Sequence, residues 1–308
     1  MRLGELGLRP TARLLVVGLL VLVGLVVLVS SPRHRAFLFS QPPAPLDEQA
    51  GAVLSRPLVR TATAASSSSA GAAGQPLKAA VMPGRRVPLP DAKGRIWLPV
   101  TDRVPLRLPA EGIPLGWTSK EFVGRASVEV VRDGSRLALR LRSDHSSFAL
   151  YRDVVVDPNE YPYLAWSWRM IRLPAKGDVR ERAVDDQAGQ VYVIFPRWPA
   201  PLTNSDVIGY VWDSRAPIGT RITSTKAPNV KIVVVESGMA RREDWRVQER
   251  DVARDYRALF GRPAPRVGQV ALMIDTDDTK SAAEVLIGGL VFARRRVENI
   301  EIPTSMLR

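Results

Sequence analysis

From about Trp97 onward, apolar and polar residues alternate in short runs broken by Gly, Pro, Asp and Asn. The clearest unit is the pair of runs 126–131 and 136–142, joined through Asp133-Gly134. Leu137, Leu139 and Leu141 alternate with Ala138 and Arg140, which gives one buried and one wetted face. Asp-Gly supplies the positive-φ residue that a tight hairpin turn requires. Further strands are predicted over 148–156, 164–171, 190–195, 207–212, 230–236, 267–275 and 285–293. Regular short strands with such breaks predict an antiparallel sandwich or barrel. One helix is predicted within 249–260, where Val252, Tyr256 and Leu259 recur at helical spacing before Gly261 and Pro263. The alternating charges from Arg241 to Arg257 read as an exposed helix face with i,i+4 pairs and not as a binding patch. The fold expected is all-β: a jelly-roll-like two-sheet β-sandwich with one short helix, over residues 96–308.

A different pattern precedes it. Residues 14–32 carry no charge, and 14–29 have no polar side chain at all. At about 1.5 Å per residue this stretch spans a hydrocarbon core of roughly 30 Å. It predicts a transmembrane helix within an uncleaved signal anchor over 1–39; the competing reading is cleavage near Val29-Ser30-Ser31. Residues 40–95 turn to Pro, Ala, Ser and Gly, as in the run 64–74, and predict a disordered linker. The expected location is the inner (cytoplasmic) membrane, crossed once through residues 14–32, with the C-terminal domain in the periplasm.

Charge then narrows the partners. The net charge is +13, but residues 1–95 hold 12 Lys/Arg against 4 Asp/Glu, and the rest is nearly balanced. A nucleic-acid protein would concentrate its basic residues on the folded domain with aromatics interleaved, so no nucleic acid is expected. The absence of Cys removes disulfides, thiolate metal sites and cysteine nucleophiles together. With His34 and His145 as the two histidines, a histidine-rich metal site is excluded too.

Four ordered stretches resemble a known family. They are Tyr161-Pro-Tyr-Leu-Ala-Trp-Ser-Trp168; Gly177 to Asp186 running into Val191-Tyr-Val-Ile-Phe195; Glu249 to Tyr256 with Phe260-Gly261; and Ile274-Asp-Thr-Asp-Asp-Thr279 with a closing apolar strand. Together they resemble the domain of unknown function 3047 family of exported proteobacterial proteins. The resemblance implies export and a fold related to sugar-binding sandwiches, and it carries over no activity. The last strand departs from the family pattern, since Ile287-Gly288-Gly289-Leu290 lacks the acid that relatives carry.

Candidate chemistry lies in aromatics and carboxylates. Trp166 and Trp168 share a strand face with Leu164 and Met170, the signature of a packed core; the competing reading is a platform for sugar rings. Trp198, Trp212 and Trp245 stand at predicted strand ends or loops beside Pro or Asp, as ring-stacking residues do. Asp185 and Asp186 precede one strand, and Asp275, Asp277 and Asp278 follow another. Clustered carboxylates repel unless protonated, solvated or bridged by a cation such as Ca²⁺, although Asp and Thr also simply make turns. His145 in Asp144-His-Ser-Ser147 has no nucleophile elbow to serve. The expected function is therefore a membrane-anchored envelope protein. Its expected role is non-catalytic binding of a glycan or similar envelope polymer, through Asp185, Asp186, Trp198, Trp212 and Trp245, with Asp275, Asp277 and Asp278 as metal candidates. Two alternatives stand beside it: a hydrolase of envelope polysaccharide working through paired Asp residues, and an envelope assembly protein.

Overall fold

A computed structural model describes residues 87–197, 205–239 and 244–297, all within one compact unit, Ala73–Arg308. In chain order its strands are β1 (Arg95–Leu98), β2 (Ala110–Glu111), β3 (Thr118–Val123), β4 (Ser127–Asp133), β5 (Arg136–Asp144), β6 (Ser147–Val156) and β7 (Tyr163–Arg172). There follow β8 (Gly189–Phe195), β9 (Asp206–Asp213), β10 (Arg221–Thr223), β11 (Val230–Ser237), β12 (Arg246–Asp251), helix α1 (Val252–Phe260), β13 (Val267–Asp275) and β14 (Ala282–Ala293). They form two seven-stranded sheets. The first runs β12-β7-β14-β5-β4-β2 with β1 beside β14, and the second runs β10-β11-β9-β8-β13-β6-β3.

The alternation read from the sequence explains the layering. Leu139 and Leu141 of the first sheet, with Phe148, Leu150, Val191 and Val193 of the second, lie in one buried core. Trp166 and Trp168 are fully buried there, edge to face at 5.3 Å, so the core reading of that pair holds. The hairpin closes at Asp133↔Arg136 with Gly134 at φ 59°, as Asp-Gly predicts. One pair departs from the antiparallel expectation: β11 runs parallel to β9, because the connection 214–229 returns to the starting edge before pairing.

The charged run before the helix needs correction. Arg246–Asp251 is not helical. It is an edge strand whose backbone bonds to Tyr163–Trp168, so pairing decides its conformation over side-chain charge periodicity. Asp251 instead caps α1, its carboxylate accepting from Arg254 N at 2.9 Å.

The fold class is corrected on a second point. Among the described residues no helix is long and apolar enough to cross a membrane. Residues 14–32, on which the expected transmembrane helix falls, and most of the expected linker at 40–95 lie outside the described residues. The membrane anchor, the membrane as partner and the inner-membrane and periplasmic location are accordingly withdrawn. What stands is a two-sheet, mostly β structure with one α-helix among the described residues.

Candidate functional site

Strand pairing brings the two Asp clusters together. β8 and β13 are antiparallel neighbours with Gln190 opposite Met273, and the ladder extends past them through Asp275 N donating to Gln187 O at 3.0 Å. The residues just before β8 and those that end and follow β13 therefore meet at one end of the second sheet. Those residues are Asp185 and Asp186 on one side, and Asp275, Asp277 and Asp278 on the other.

The five carboxylates divide the work. Asp186 is fully buried and accepts from Asp278 N (3.1 Å), Thr279 N (2.6 Å) and Thr279 Oγ1 (2.5 Å), so it clasps the turn that carries the second cluster. Asp278 Oδ2 pairs with Lys226 Nζ at 2.6 Å. The same ammonium stands 3.5 Å from Asp275 Oδ2 and donates to Asp185 O at 3.3 Å. Burial works against the charge of Lys226, but Asp278, Asp275 and Asp185 more than offset it and hold the ammonium protonated.

Asp277 N donates to Asp275 Oδ1 at 3.4 Å, and the two neighbouring carboxyls titrate as a pair. Burial first, then the neighbouring Asp277 carboxyl, pushes Asp275 up to about 9, with Lys226 opposing. The Asp275 side chain holds Asp277 below the usual range. These directions favour retention of one proton by the pair near neutral pH. Asp185 is raised as well, by burial, against hydrogen bonds from Thr225 Oγ1 (2.7 Å) and Gln187 Nε2 (3.0 Å) and the nearby Lys226. One oxygen each of Asp186, Asp275 and Asp277 lie within 4.8 Å of one another, an arrangement able to hold a metal ion.

The acids border the outer face of the second sheet. Register places Tyr151, Ala271, Tyr192, Gly209 and Ile232 in one row across five strands, all on the side away from the main core. Gly209 has a physical reason. A Cβ there would fall 2.6 Å from Tyr192 Cε1 and 2.8 Å from Ile232 Cδ1, so the glycine makes room for the Tyr192 ring. Tyr192 Oη donates to Gln190 Oε1 at 2.6 Å. Burial first, and then the nearby Asp185 and Asp275, raises the Tyr192 phenol and keeps it neutral. Part of this face is closed by Val179 and Ala216, packed on Val211, Ile232 and Val234.

The tryptophans do not join the acids. Trp212 is 1% exposed, packs on Trp168 at 5.7 Å and donates to Gly238 O at 2.9 Å, so it belongs to the core. Trp245 lies against Val131, Ala138 and Leu286 on the first sheet and donates to Asp133 Oδ2 at 2.7 Å. Trp198 lies outside the described residues. Lys226, Tyr192, Gln190 and Tyr151 were not anticipated. Tyr192 had a signal, an aromatic at the outward position of Val191-Tyr-Val193, whereas nothing in Ser224-Thr-Lys-Ala-Pro228 marks Lys226. His145 is exposed and its ring bonds Asp144 at 2.6 Å, while the Ser143 and Ser146 hydroxyls bond each other and Ser143 bonds Thr276.

No curated protein matches the chain. Among solved structures, the family 30 carbohydrate-binding module of a Clostridium thermocellum cellulosomal cellulase is similar at 11% identity, covering 65% of this chain and 99% of that one, with a TM-score of 0.36. The family 11 xylanase from Neocallimastix patriciarum is similar at 11% identity, covering 64% and 95%, with a TM-score of 0.29. The enzymatically active domain of tailspike protein 4 of bacteriophage CBA120 is similar at 6% identity and a TM-score of 0.31; 58% of this chain spans 19% of that one. Overlaps this low carry no argument about activity. The family comparison is of another order: the profile of the family described as protein of unknown function DUF3047 matches residues 115–291, more than half of the chain, which therefore belongs to that family.

Proposed function

We propose that the protein is a hydrolase of polysaccharide, with Asp275 as general acid and Asp185 as the opposing carboxylate. This replaces the expectation of non-catalytic binding at a membrane. The observation that carries it is the buried carboxyl of Asp275 beside Asp277 at the border of the outer face of the second sheet, an environment that raises Asp275 and favours a retained proton. A solvated binding carboxylate has no use for such a proton, whereas a glycosidic leaving oxygen must receive one. Glycosidase carboxyls stand about 5–5.5 Å apart for retention or 6.5–9.5 Å apart for inversion. With oxygens within 4.8 Å of each other, Asp275 and Asp277 are too close for either, so they act as one proton-holding acid and the second role falls to Asp185. Burial raises Asp185, against Thr225, Gln187 and the ammonium of Lys226, which favours its charged form. Asp186 is engaged in the turn and positions the acid. Tyr192 and Tyr151 offer ring faces to a sugar, and Gln190 fixes the Tyr192 hydroxyl.

The test is release of reducing ends from a panel of polysaccharides by the full chain. Asp275→Asn and Asp185→Asn should each lower the rate by at least about a hundredfold. A turnover that both variants retain overturns the assignment.

A second reading rests on the convergence of Asp186, Asp275 and Asp277 oxygens within 4.8 Å. A hard cation, Ca²⁺ by its preference for carboxylate oxygens, would displace the shared proton and move Lys226 aside. Under this reading added Ca²⁺ raises the melting temperature and Asp277→Asn abolishes the rise. Under the hydrolase reading Ca²⁺ leaves it unchanged.

A further inference from the structure

A groove of about 500 Å³ opens at the rim of the first sheet, away from the face described above. Register fixes its floor. Ser127, Arg142, Glu284 and Arg172 are successive partners across β4, β5, β14 and β7, and share the outer face. Arg125 enters from the β3–β4 connection. The preceding Gly124, at φ 67°, brings the backbone so close to the β5–β6 turn that a Cβ there would fall 2.9 Å from Ser146 Cβ.

The charges of the groove are unequally engaged. Arg142 is paired with Glu129, Glu284 with Arg140 at 3.2 Å, and Asp144 with His145 at 2.6 Å. The guanidinium groups of Arg125 and Arg172 make no hydrogen bond or ion pair among the described residues. Three arginines against Asp144 and Glu284 leave a surplus of one positive charge among the lining residues. That surplus fits a singly charged anion, and the guanidinium fork fits a planar carboxylate. The hydroxyl of Ser127, together with the acceptor oxygens of Asp144 and Glu284, suits the hydroxyls of a sugar ring.

We infer that this groove is a binding site for an acidic saccharide, its carboxylate held by Arg125 and Arg172. The site is separate from the Asp275 face but lies at the same end of the sandwich. Thr276, the residue after Asp275, bonds Ser143 of the groove wall at 2.7 Å and takes Ser146 O on its backbone N–H at 3.0 Å. If the protein hydrolyses polysaccharide, the acidic saccharide belongs to its substrate; that extension alone rests on the proposed function.

Calorimetric titration of the full chain with oligogalacturonate, and with a neutral cello-oligosaccharide of equal length, tests the site. The acidic ligand should bind more tightly. Arg125→Ala and Arg172→Ala should each weaken it by about tenfold, Arg172→Lys by less, and the neutral ligand should be unaffected. Equal binding of the two ligands overturns the inference. So does undiminished oligogalacturonate binding in a folded Arg125→Ala/Arg172→Ala variant, or tighter binding of inorganic phosphate than of oligogalacturonate. Asp275→Asn should leave this binding intact. Arginine-dependent binding without release of reducing ends would therefore uphold the groove and defeat the hydrolase.

Discussion

Lys226 Nζ stands 3.5 Å from Asp275 Oδ2, so a lysine from the β10–β11 connection supplies counter-charge to a carboxyl at the end of β13. It holds Asp278 at 2.6 Å and the Asp185 carbonyl at 3.3 Å at the same time. Three segments distant in sequence are joined through one ammonium, and the charge state of the site depends on it.

Lys226→Met should therefore raise the pKa values of both Asp185 and Asp275, since the ammonium lowers each. The base Asp185 would stay protonated over a wider acid range. The acid limb of the pH–rate profile should move upward by about one pH unit, with the maximum turnover changed less than the rate at low pH. An unmoved acid limb would show that Lys226 has no electrostatic role.

Stability should fall as pH rises across the neutral range. Asp275 has a folded-state pKa raised to about 9 from 3.8, so its contribution is complete below about pH 3.8 and is lost towards pH 9. Asp277 is lowered, and its contribution is present above 3.8 and lost only in stronger acid. Between pH 5 and 9 the Asp275 slope prevails. Urea denaturation at pH 5, 7 and 9 should show the native chain losing at least about 1 kcal/mol relative to Asp275→Asn across that window. Parallel curves for the two proteins contradict the shared proton.

Gly209→Val tests the aromatic row. Its side chain would collide with the Tyr192 ring and with Ile232, at a cost of about 1–3 kcal/mol. Displacing the ring should also abolish saccharide binding on the second sheet while leaving the arginine groove untouched. Titration with neutral and acidic oligosaccharides separates the two effects.

Asp186→Ala removes a buried acceptor from three donors of the 278–279 turn. The expected cost is about 2–4 kcal/mol, because two buried-turn backbone N–H groups lose their acceptor, while the Thr279 hydroxyl keeps the Ser281 hydroxyl at 2.6 Å. Asp186→Asn keeps one acceptor oxygen and should cost less. Thermal melts of the two variants rank them, and equal losses would rule out the clasp.

The layered β fold was legible because its signal is local. Leu137, Leu139 and Leu141 alternate, Asp133-Gly134 marks its own turn, and α1 ends at Gly261 as its spacing predicts. The run 246–251 was not legible: its charges suit a helix face, and only the neighbouring backbone of β7 makes it a strand. Trp212 misled for a related reason, since adjacency to Asp213 suggested exposure while strand parity turns its ring into the core. Both Asp clusters stood out by composition, but their meeting depends on β8 lying beside β13, a pairing between residues some eighty apart that no local pattern encodes. Lys226 was invisible because a single lysine in a turn has no signature until its neighbours are in place.

Carbon-13 NMR of aspartate-labelled protein, with Asp275→Asn used to assign the carboxyl resonance, measures the proton on which the account turns. The resonance of Asp275 should keep the chemical shift of a protonated acid from pH 4 to pH 8, and ionise only towards pH 9. Ionisation near pH 4, as for an ordinary exposed aspartate, would leave the site without its acid and contradict the account.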